Sequence, residues 1–358
     1  MLKPKNPKHH KANDNTPNNG CKPGNAGRRR KPIDVPPLVR LRNHVTDRDR
    51  RILDWLYDHH TLTTAQIAHA LFPSLDFAQR RLLTLTGLTA VTRFRPNKLD
   101  GGSYPFHYVL DQLGFTYIMG ERGQGLPRRD EARRRLQSVT TRPDLRHLLG
   151  VNQLFTDLAG HARTHDGCVL ERWRPASAFH SFGDFMNDGD DLMLAVGAAT
   201  RIPRPDGHGV WREHGRAVPF FVEFDTGSER HDTLAEKIFK YATLSAGTTW
   251  VWPALFVLPT QRREDNLHHH IAAMNRPPAA LWYTTSVEYL DAARQTAAEA
   301  VWRPGGQLRQ QAIGPIRLID LPYHDPNHDS RWQVRNPQGD SEELRTLWAP
   351  FTGHRRAA

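Results

Sequence analysis

The chain has 358 residues, enough for about two domains of 150 residues and a tail. Its net charge of +11 is unevenly held: residues 1–32 carry +8, 33–125 carry +2, 126–140 carry +3 and 141–358 carry −2, a basic front that predicts a polyanionic partner, nucleic acid or a membrane surface. The two cysteines, Cys21 and Cys168, exclude a disulfide framework and a cysteine zinc site, the short apolar runs exclude a spanning helix, and no apolar stretch follows the charged start, so a cytoplasmic protein is expected.

Residues 1–40 are rich in Lys, Asn, Pro and Gly and bury too little apolar surface to offset chain entropy, so a disordered basic arm is expected there. Arg28, Arg29, Arg30 and Lys31 form its densest cluster, read either as a phosphate-tracking arm or as a solubilising tail. Thr46 is placed to cap a helix from Asp47 to about Tyr57, and Ile52, Leu53 and Leu56 give that helix an apolar stripe. Thr63-x-x-Gln66 is a capping box ahead of a second helix. Ser74 caps a third helix through Thr86, with Leu82, Leu83 and Leu85 on its expected inner side and Gln79, Arg80 and Arg81 on its outer side. Two β-prone runs follow, Leu88–Arg95 and Tyr104–Leu110, around a turn-forming loop that contains Lys98.

Three helices and a hairpin over residues 41–120 predict a winged helix-turn-helix. Its third helix would present Gln79, Arg80 and Arg81 to duplex DNA, and its wing Arg93, Arg95 and Lys98. Winged helices also contact proteins, so a protein-binding role stands beside the DNA-binding one. Residues 121–141 read as a charged linker or a short exposed helix. From there to residue 322 a helix over 145–163 precedes strands at Val169–Trp173, Leu192–Val196, Pro219–Asp225, Trp250–Leu258 and Ala280–Thr284. Helices at about Glu229–Leu244 and Arg262–Ala273 are interspersed, which predicts a mixed-sheet α/β (α+β) domain over 142–322. Residues 323–358 read as a polar tail.

Strand alternation puts Phe221, Glu223 and Asp225 on one sheet face. Asp191 opens the preceding expected strand, within reach of Glu223. Converging carboxylates repel unless a cation joins them, and Mg²⁺ (or Mn²⁺) suits such an oxygen-rich set. Lys237 falls in the apolar stripe of the next helix and so faces the sheet, where it either orients an attacking water or forms a structural ion pair. His268, His269 and His270 are consecutive, so on a helix they point in different directions and cannot share one ion. The loop with His324, Asp325, His328 and Asp329 reads as solvated. A phosphate-binding glycine loop, a nucleophile elbow and a His-hydrophobic-His relaxase cluster are all missing from the sequence.

The order of the winged helix, His147-Leu-Leu-Gly-Val-Asn152, Asp191-Leu-Met-Leu, Phe221-Val-Glu-Phe-Asp-Thr-Gly-Ser-Glu229 and Lys237-Ile-Phe-Lys-Tyr241 resembles the replication-relaxation family of plasmid and mobile-element proteins. The second half also resembles the PD-(D/E)XK nuclease fold: a helix, a three-stranded meander, a helix and a further strand. That resemblance implies Asp191 and Glu223 as metal ligands; Asp225 is read as a third ligand or as a partner behind them, and Lys237, on the next helix, as the group that would supply the missing catalytic cation. Two positions depart from its pattern: Asp190 stands where a proline is usual, and Asp225 where the lysine is usual. Asn152 and Asp157 are the nearest polar residues on the first helix. The resemblance implies a double-stranded DNA partner at a plasmid or mobile-element origin, other replication or conjugative-transfer proteins, and a Mg²⁺-dependent nickase or endonuclease. The alternative is a non-catalytic winged-helix regulator or relaxosome accessory factor with a degenerate nuclease fold, in which Glu223, Asp225 and Lys237 form an internal ion-pair network.

Overall fold

The computed structural model describes residues 36–96, 104–179, 203–247, 251–306 and 314–323. Local side-chain chemistry sets the first helices. Pro37 opens α1 (Pro37–His44), which lies partly inside the stretch read from sequence as a disordered arm. It is ordered because Leu41 is fully buried, an anchor the polar composition around it hides. Thr46 and Asp49 close a capping box at the start of α2 (Asp47–His59), satisfying backbone donors that a helix start leaves orphaned. After the short β1 (Leu62–Thr63), Thr63 and Gln66 do the same for α3 (Thr64–Leu71), and Ser74 caps α4 (Leu75–Gly87). Strands β2 (Val91–Phe94) and β3 (His107–Leu110) pair antiparallel from Val91↔Leu110 to Phe94↔His107, and β1 joins the other edge of β3.

Helix α5 (Gln112–Glu121) packs on α2, where Arg122 is clamped between Asp54 and Asp58. The charged segment after it holds α6 (Glu131–Thr140), whose Ala132 and Val139 are buried. The twenty-residue α7 (Leu145–Thr164) then links the two halves. Its Asn152 is buried and donates to Thr61 O at 2.8 Å, so this candidate polar residue ties α7 to the N-terminal helices.

Seven strands make the second sheet, in the order β10-β9-β8-β7-β6-β5-β4. Strands β4 (Cys168–Pro175), β5 (Gly207–Glu213) and β6 (Arg216–Phe224) form an antiparallel meander. The β5–β6 turn is the two-residue His214-Gly215, both at positive φ, as a tight hairpin requires. Helix α8 (His231–Gly247) crosses from β6 to the parallel β7 (Ala254–Leu258), and α9 (Gln261–Ala272) from β7 to the parallel β8 (Trp282–Ser286). After α10 (Val287–Ala293), β9 (Ala300–Pro304) and β10 (Ile316–Arg317) complete the antiparallel edge. The expected strand at Leu192–Val196 and residues 324–358 of the expected tail lie outside the described residues, while Tyr323 packs against the core.

The fold is therefore mixed α and β, with helices on both sheet faces. Phe220 and Val222 of β6 join the core that α7 and the N-terminal helices share, while Phe221 packs with Leu234 and Ile238 of α8 and Leu267 of α9. The alternation in β6 thus turns Glu223 and Asp225 toward α8 and α9. Among the described residues, no helix is long and apolar enough to cross a membrane.

Candidate functional site

Glu223 lies near the end of β6 with its side chain 3 % exposed. The β5–β6 register pairs Gly207 with Val222, which brings Asp206, just ahead of β5, beside Glu223. Asp206 N donates to Val222 O at 2.9 Å, and Phe224 N donates to Asp206 Oδ2 at 2.8 Å. The Asp206 carboxylate is thus fixed by the backbone next to Glu223. His147 on α7 is 2.9 Å from the same Oδ2 through Nε2. The α7 backbone comes this close because position 150 is glycine: a Cβ there would meet the Phe224 ring at 2.3 Å.

From the other side α8 delivers two groups. Tyr241 donates to Glu223 Oε1 at 2.7 Å, and Lys237 Nζ lies 3.1 Å from Glu223 Oε2 and 3.0 Å from Glu229 Oε1. Burial pushes the Glu223 carboxyl up to about 7, and the Asp206 charge adds to that shift, against the pull of Lys237 and Tyr241. Burial also works against the Lys237 charge, but Glu223, Asp206 and Glu229 outweigh it and raise its pKa. The hydrogen bond to Asp206 raises the pKa of His147. Asp206, Glu223 and Glu229, with His147, Lys237 and Tyr241, therefore form one run of hydrogen bonds and ion pairs around the end of β6.

Asp225 is not part of that group. Its carboxylate is taken by Arg263 of α9 and by Gly227 N at 2.8 Å, and Arg263 also donates to Glu229 O. The structure brings Glu223 and Lys237 together as the sequence suggested and draws Asp225 into the strand-to-helix turn. Asp191 lies outside the described residues. Asp206, His147, Tyr241 and Arg263 were not singled out as site residues from sequence. The available signal for Asp206 was the dipeptide Pro205-Asp206.

Among the described residues, no three His, Cys, Asp or Glu side chains converge as a metal cage. The pair Asp206 and Glu223 still suits Mg²⁺, which is commonly held by one or two carboxylates with water and phosphate oxygens completing its shell. The upward pKa of Glu223 comes first from its burial, with the Asp206 charge adding to it. His268 is buried and 2.8 Å from Thr284 Oγ1, while His270 lies 3.1 Å from Asp232, so the histidine run does point in different directions.

The candidate nucleic-acid residues separate by role. Gln79 and Arg80 are exposed on α4, where Arg80 pairs with Asp76 and lies over the Phe77 ring at 5.0 Å. Arg81 turns inward instead: its Nε donates to Asp49 at 2.9 Å, and Asp49 is fully buried. Burial disfavours the Asp49 carboxylate, yet the hydrogen bonds from Arg81 and Thr46 hold its pKa below the usual value. Leu83, expected to face inward, is 51 % exposed beside Arg80. Arg93 and Arg95 sit on the Phe106 ring at 4.0 and 3.9 Å, which orders two guanidiniums beside the β2–β3 hairpin. Arg28, Arg29, Arg30, Lys31 and Lys98 lie outside the described residues.

Residues 53–257, more than half of the chain, match the family model described as Replication-relaxation. No curated protein and no solved structure matches the chain.

Proposed function

The chain belongs to the replication-relaxation family, and from that premise we propose that it is a DNA-binding protein of plasmid or mobile-element replication whose α/β half is a Mg²⁺-dependent DNA nickase or endonuclease. The observation that carries the catalytic part is the meeting of Asp206, Glu223 and Lys237. The helix, the β4–β5–β6 meander, the crossover helix and the parallel β7 come in the order of the PD-(D/E)XK core, in which Asp206 and Glu223 would be its two acids. Pro205 precedes Asp206, as that pattern asks. The lysine usually found on the strand is replaced by Asp225, and Lys237 brings an ammonium to the same place from α8.

In this reading Asp206 and Glu223 would hold the metal, with Asp191 an additional candidate ligand. A bound Mg²⁺ would supply Lewis-acid stabilisation of the phosphate charge and a more acidic water. Lys237 holds the Glu223 carboxylate and offers its remaining protons to the attacking water or a phosphate oxygen. Tyr241 fixes the Glu223 rotamer. Support for the DNA-binding half comes from the helices α2, α3 and α4 followed by the β2–β3 hairpin, with β1 closing a three-stranded sheet. There Gln79 and Arg80 would face the major groove and Arg93 and Arg95 the phosphates.

The Arg263–Asp225 pair favours a second reading, a non-catalytic DNA-binding accessory factor. It neutralises the carboxylate at the lysine position and leaves Lys237 as the site's own counterion. Incubating supercoiled cognate plasmid with the protein and Mg²⁺ or Mn²⁺ separates the two. Nicking that disappears in Asp206→Ala and Glu223→Ala, with DNA binding retained, is the catalytic outcome. Intact binding with no nicking by the wild-type protein is the accessory-factor outcome.

A further inference from the structure

Lys237 has no acid one turn away on its own helix, where its neighbours are Thr233, Leu234, Lys240 and Tyr241. Its ammonium reaches two carboxylates outside α8 instead, Glu223 Oε2 at 3.1 Å and Glu229 Oε1 at 3.0 Å. The two contacts differ in kind. Lys237 donates a hydrogen bond to Glu229. Glu223 Oε2 is sealed from solvent and accepts no hydrogen bond, so the ammonium covers it without bonding to it. Tyr241 already occupies Glu223 Oε1. The oxygen that Glu223 has left for another cation is thus the one beside Lys237. Glu229 is kept within reach by the turn after β6. Gly227 turns the chain at φ +90, and its N–H donates to Asp225 Oδ1 at 2.8 Å. Arg263 binds Asp225 and also donates to Glu229 O. The Glu229 backbone is pinned in this way, while its carboxylate faces Lys237 and its Oε2 is buried without a hydrogen-bond partner.

We propose that Glu229 is a positioning residue of the site: it is the second seat of the Lys237 ammonium, which gives up Glu223 Oε2 for Glu229 when a divalent cation binds to Asp206 and Glu223. The proposal rests on the metal-binding reading of those two acids and adds a regulating exchange to it. Without metal, Lys237 neutralises the buried Glu223 carboxylate, which would otherwise be an uncompensated charge. With a divalent cation on Glu223, an ammonium in contact with the same carboxylate is repelled by the like charge. Glu229 is already bonded to that ammonium and has an unused oxygen, and the flexible four-carbon stem of lysine allows the move. Lys237 is therefore a built-in cation that holds the site closed until a stronger one replaces it, and Glu229 makes the replacement affordable.

The test is calorimetric titration of the full chain with MnCl₂ in the absence of DNA. Glu229→Gln keeps the side-chain length and leaves the backbone carbonyl to Arg263, so the variant is expected to fold like the wild type. It is expected to bind Mn²⁺ about tenfold more weakly, the size of one charge-assisted hydrogen bond, because Lys237 is left on Glu223. Loss of a negative charge also weakens cation binding through space, so the same substitution is made in Lys237→Met. With no ammonium to seat, Glu229→Gln is expected to cost about threefold or less there, and the difference between the two backgrounds is the coupling that the exchange predicts. A crystal structure of the wild-type protein with MnCl₂ gives the same decision without any variant. Lys237 Nζ is expected beyond about 4 Å from Glu223 Oε2 and within about 3.2 Å of Glu229. Unchanged affinity in Glu229→Gln, equal losses in the two backgrounds, or a Mn²⁺-bound structure with Lys237 still on Glu223 Oε2 overturns the exchange and leaves the metal reading standing. No Mn²⁺ binding by the wild-type protein at millimolar concentration overturns both.

Discussion

Lys237 Nζ lies 3.1 Å from Glu223 Oε2, across the step from the end of β6 to the second turn of α8. The same ammonium is 3.0 Å from Glu229 Oε1, so one cation holds two carboxylates on either side of the strand-to-helix turn. That pairing is the common element of the catalytic and accessory readings, and removing it is informative about both. In Lys237→Met, Glu223 would stay buried without its cation. A loss of about 3 kcal/mol in urea unfolding is expected, since breaking one partner of a buried pair leaves an uncompensated charge. In the catalytic reading plasmid nicking is lost as well while DNA affinity is kept. A variant as stable as the wild type would show that the pair holds nothing in place.

Tyr241 makes a narrower test. Its hydroxyl donates to Glu223 Oε1 at 2.7 Å with both groups buried. Tyr241→Phe keeps the ring packed on Phe221 and removes only that donor. The expected loss is about 1–3 kcal/mol, the penalty for leaving a buried acceptor unpaired. In the catalytic reading more Mg²⁺ is also needed for half-maximal nicking, because Glu223 is no longer held in one rotamer. An unchanged unfolding midpoint together with an unchanged Mg²⁺ requirement would remove Tyr241 from the site.

Arg80 and Arg81 are neighbours in sequence with opposite expected phenotypes. Arg81→Ala leaves Asp49 fully buried without its guanidinium, and a destabilisation of about 3 kcal/mol is expected by thermal or urea unfolding. Arg80 is exposed on the Phe77 ring and its ion pair is with the equally exposed Asp76, a contact worth about 0.5 kcal/mol or less. Arg80→Ala is therefore expected to unfold like the wild type and to bind duplex DNA more weakly. The reverse pattern, a stable Arg81→Ala with impaired binding, would restore Arg81 as a DNA reader.

What could be read from the sequence follows from how local each signal is. The starts of α2, α3 and α4 were visible because Thr46, Thr63 and Ser74 act within three residues of themselves. The inward face of Glu223 was visible because strand alternation is local too. Strand β5 was hidden, since its Gly207 and Gly209 carry no side chain to mark a pattern. They are glycines because a Cβ at 209 would meet the Phe220 ring at 2.3 Å, and one at 207 would meet Phe155 at 2.9 Å. With β5 hidden, Asp206 had no strand to begin, and the acid beside Glu223 was sought at Asp191. The pairs Arg81–Asp49 and Arg263–Asp225 span 32 and 38 residues, and no spacing rule reaches that far. They decide that two groups expected at functional surfaces are engaged within the fold.

The pH dependence of stability offers a test that needs no DNA. His59 is stacked on Trp173 at 3.7 Å, and burial lowers its pKa to about 3. In the unfolded chain an imidazole titrates near 6.5. Between those values the unfolded state binds the extra proton, so this contribution is complete above pH 6.5 and is lost as pH falls toward 3. His60 acts in the same direction, its pKa lowered to about 4 by burial and the charge of Arg135. Burial raises Asp54 and Asp157 to about 6, and these act in the opposite direction over the window from 3.8 to 6. A comparison of His59→Phe with the wild type cancels the other three groups and isolates His59. The phenyl ring preserves the stack and cannot be protonated. Urea unfolding at a series of pH values from 7.5 to 4.5 is therefore expected to show the variant gaining on the wild type as pH falls, by up to about 1.4 kcal/mol per pH unit below 6. A constant difference across that range would mean that His59 takes up its proton equally in the folded and unfolded chain.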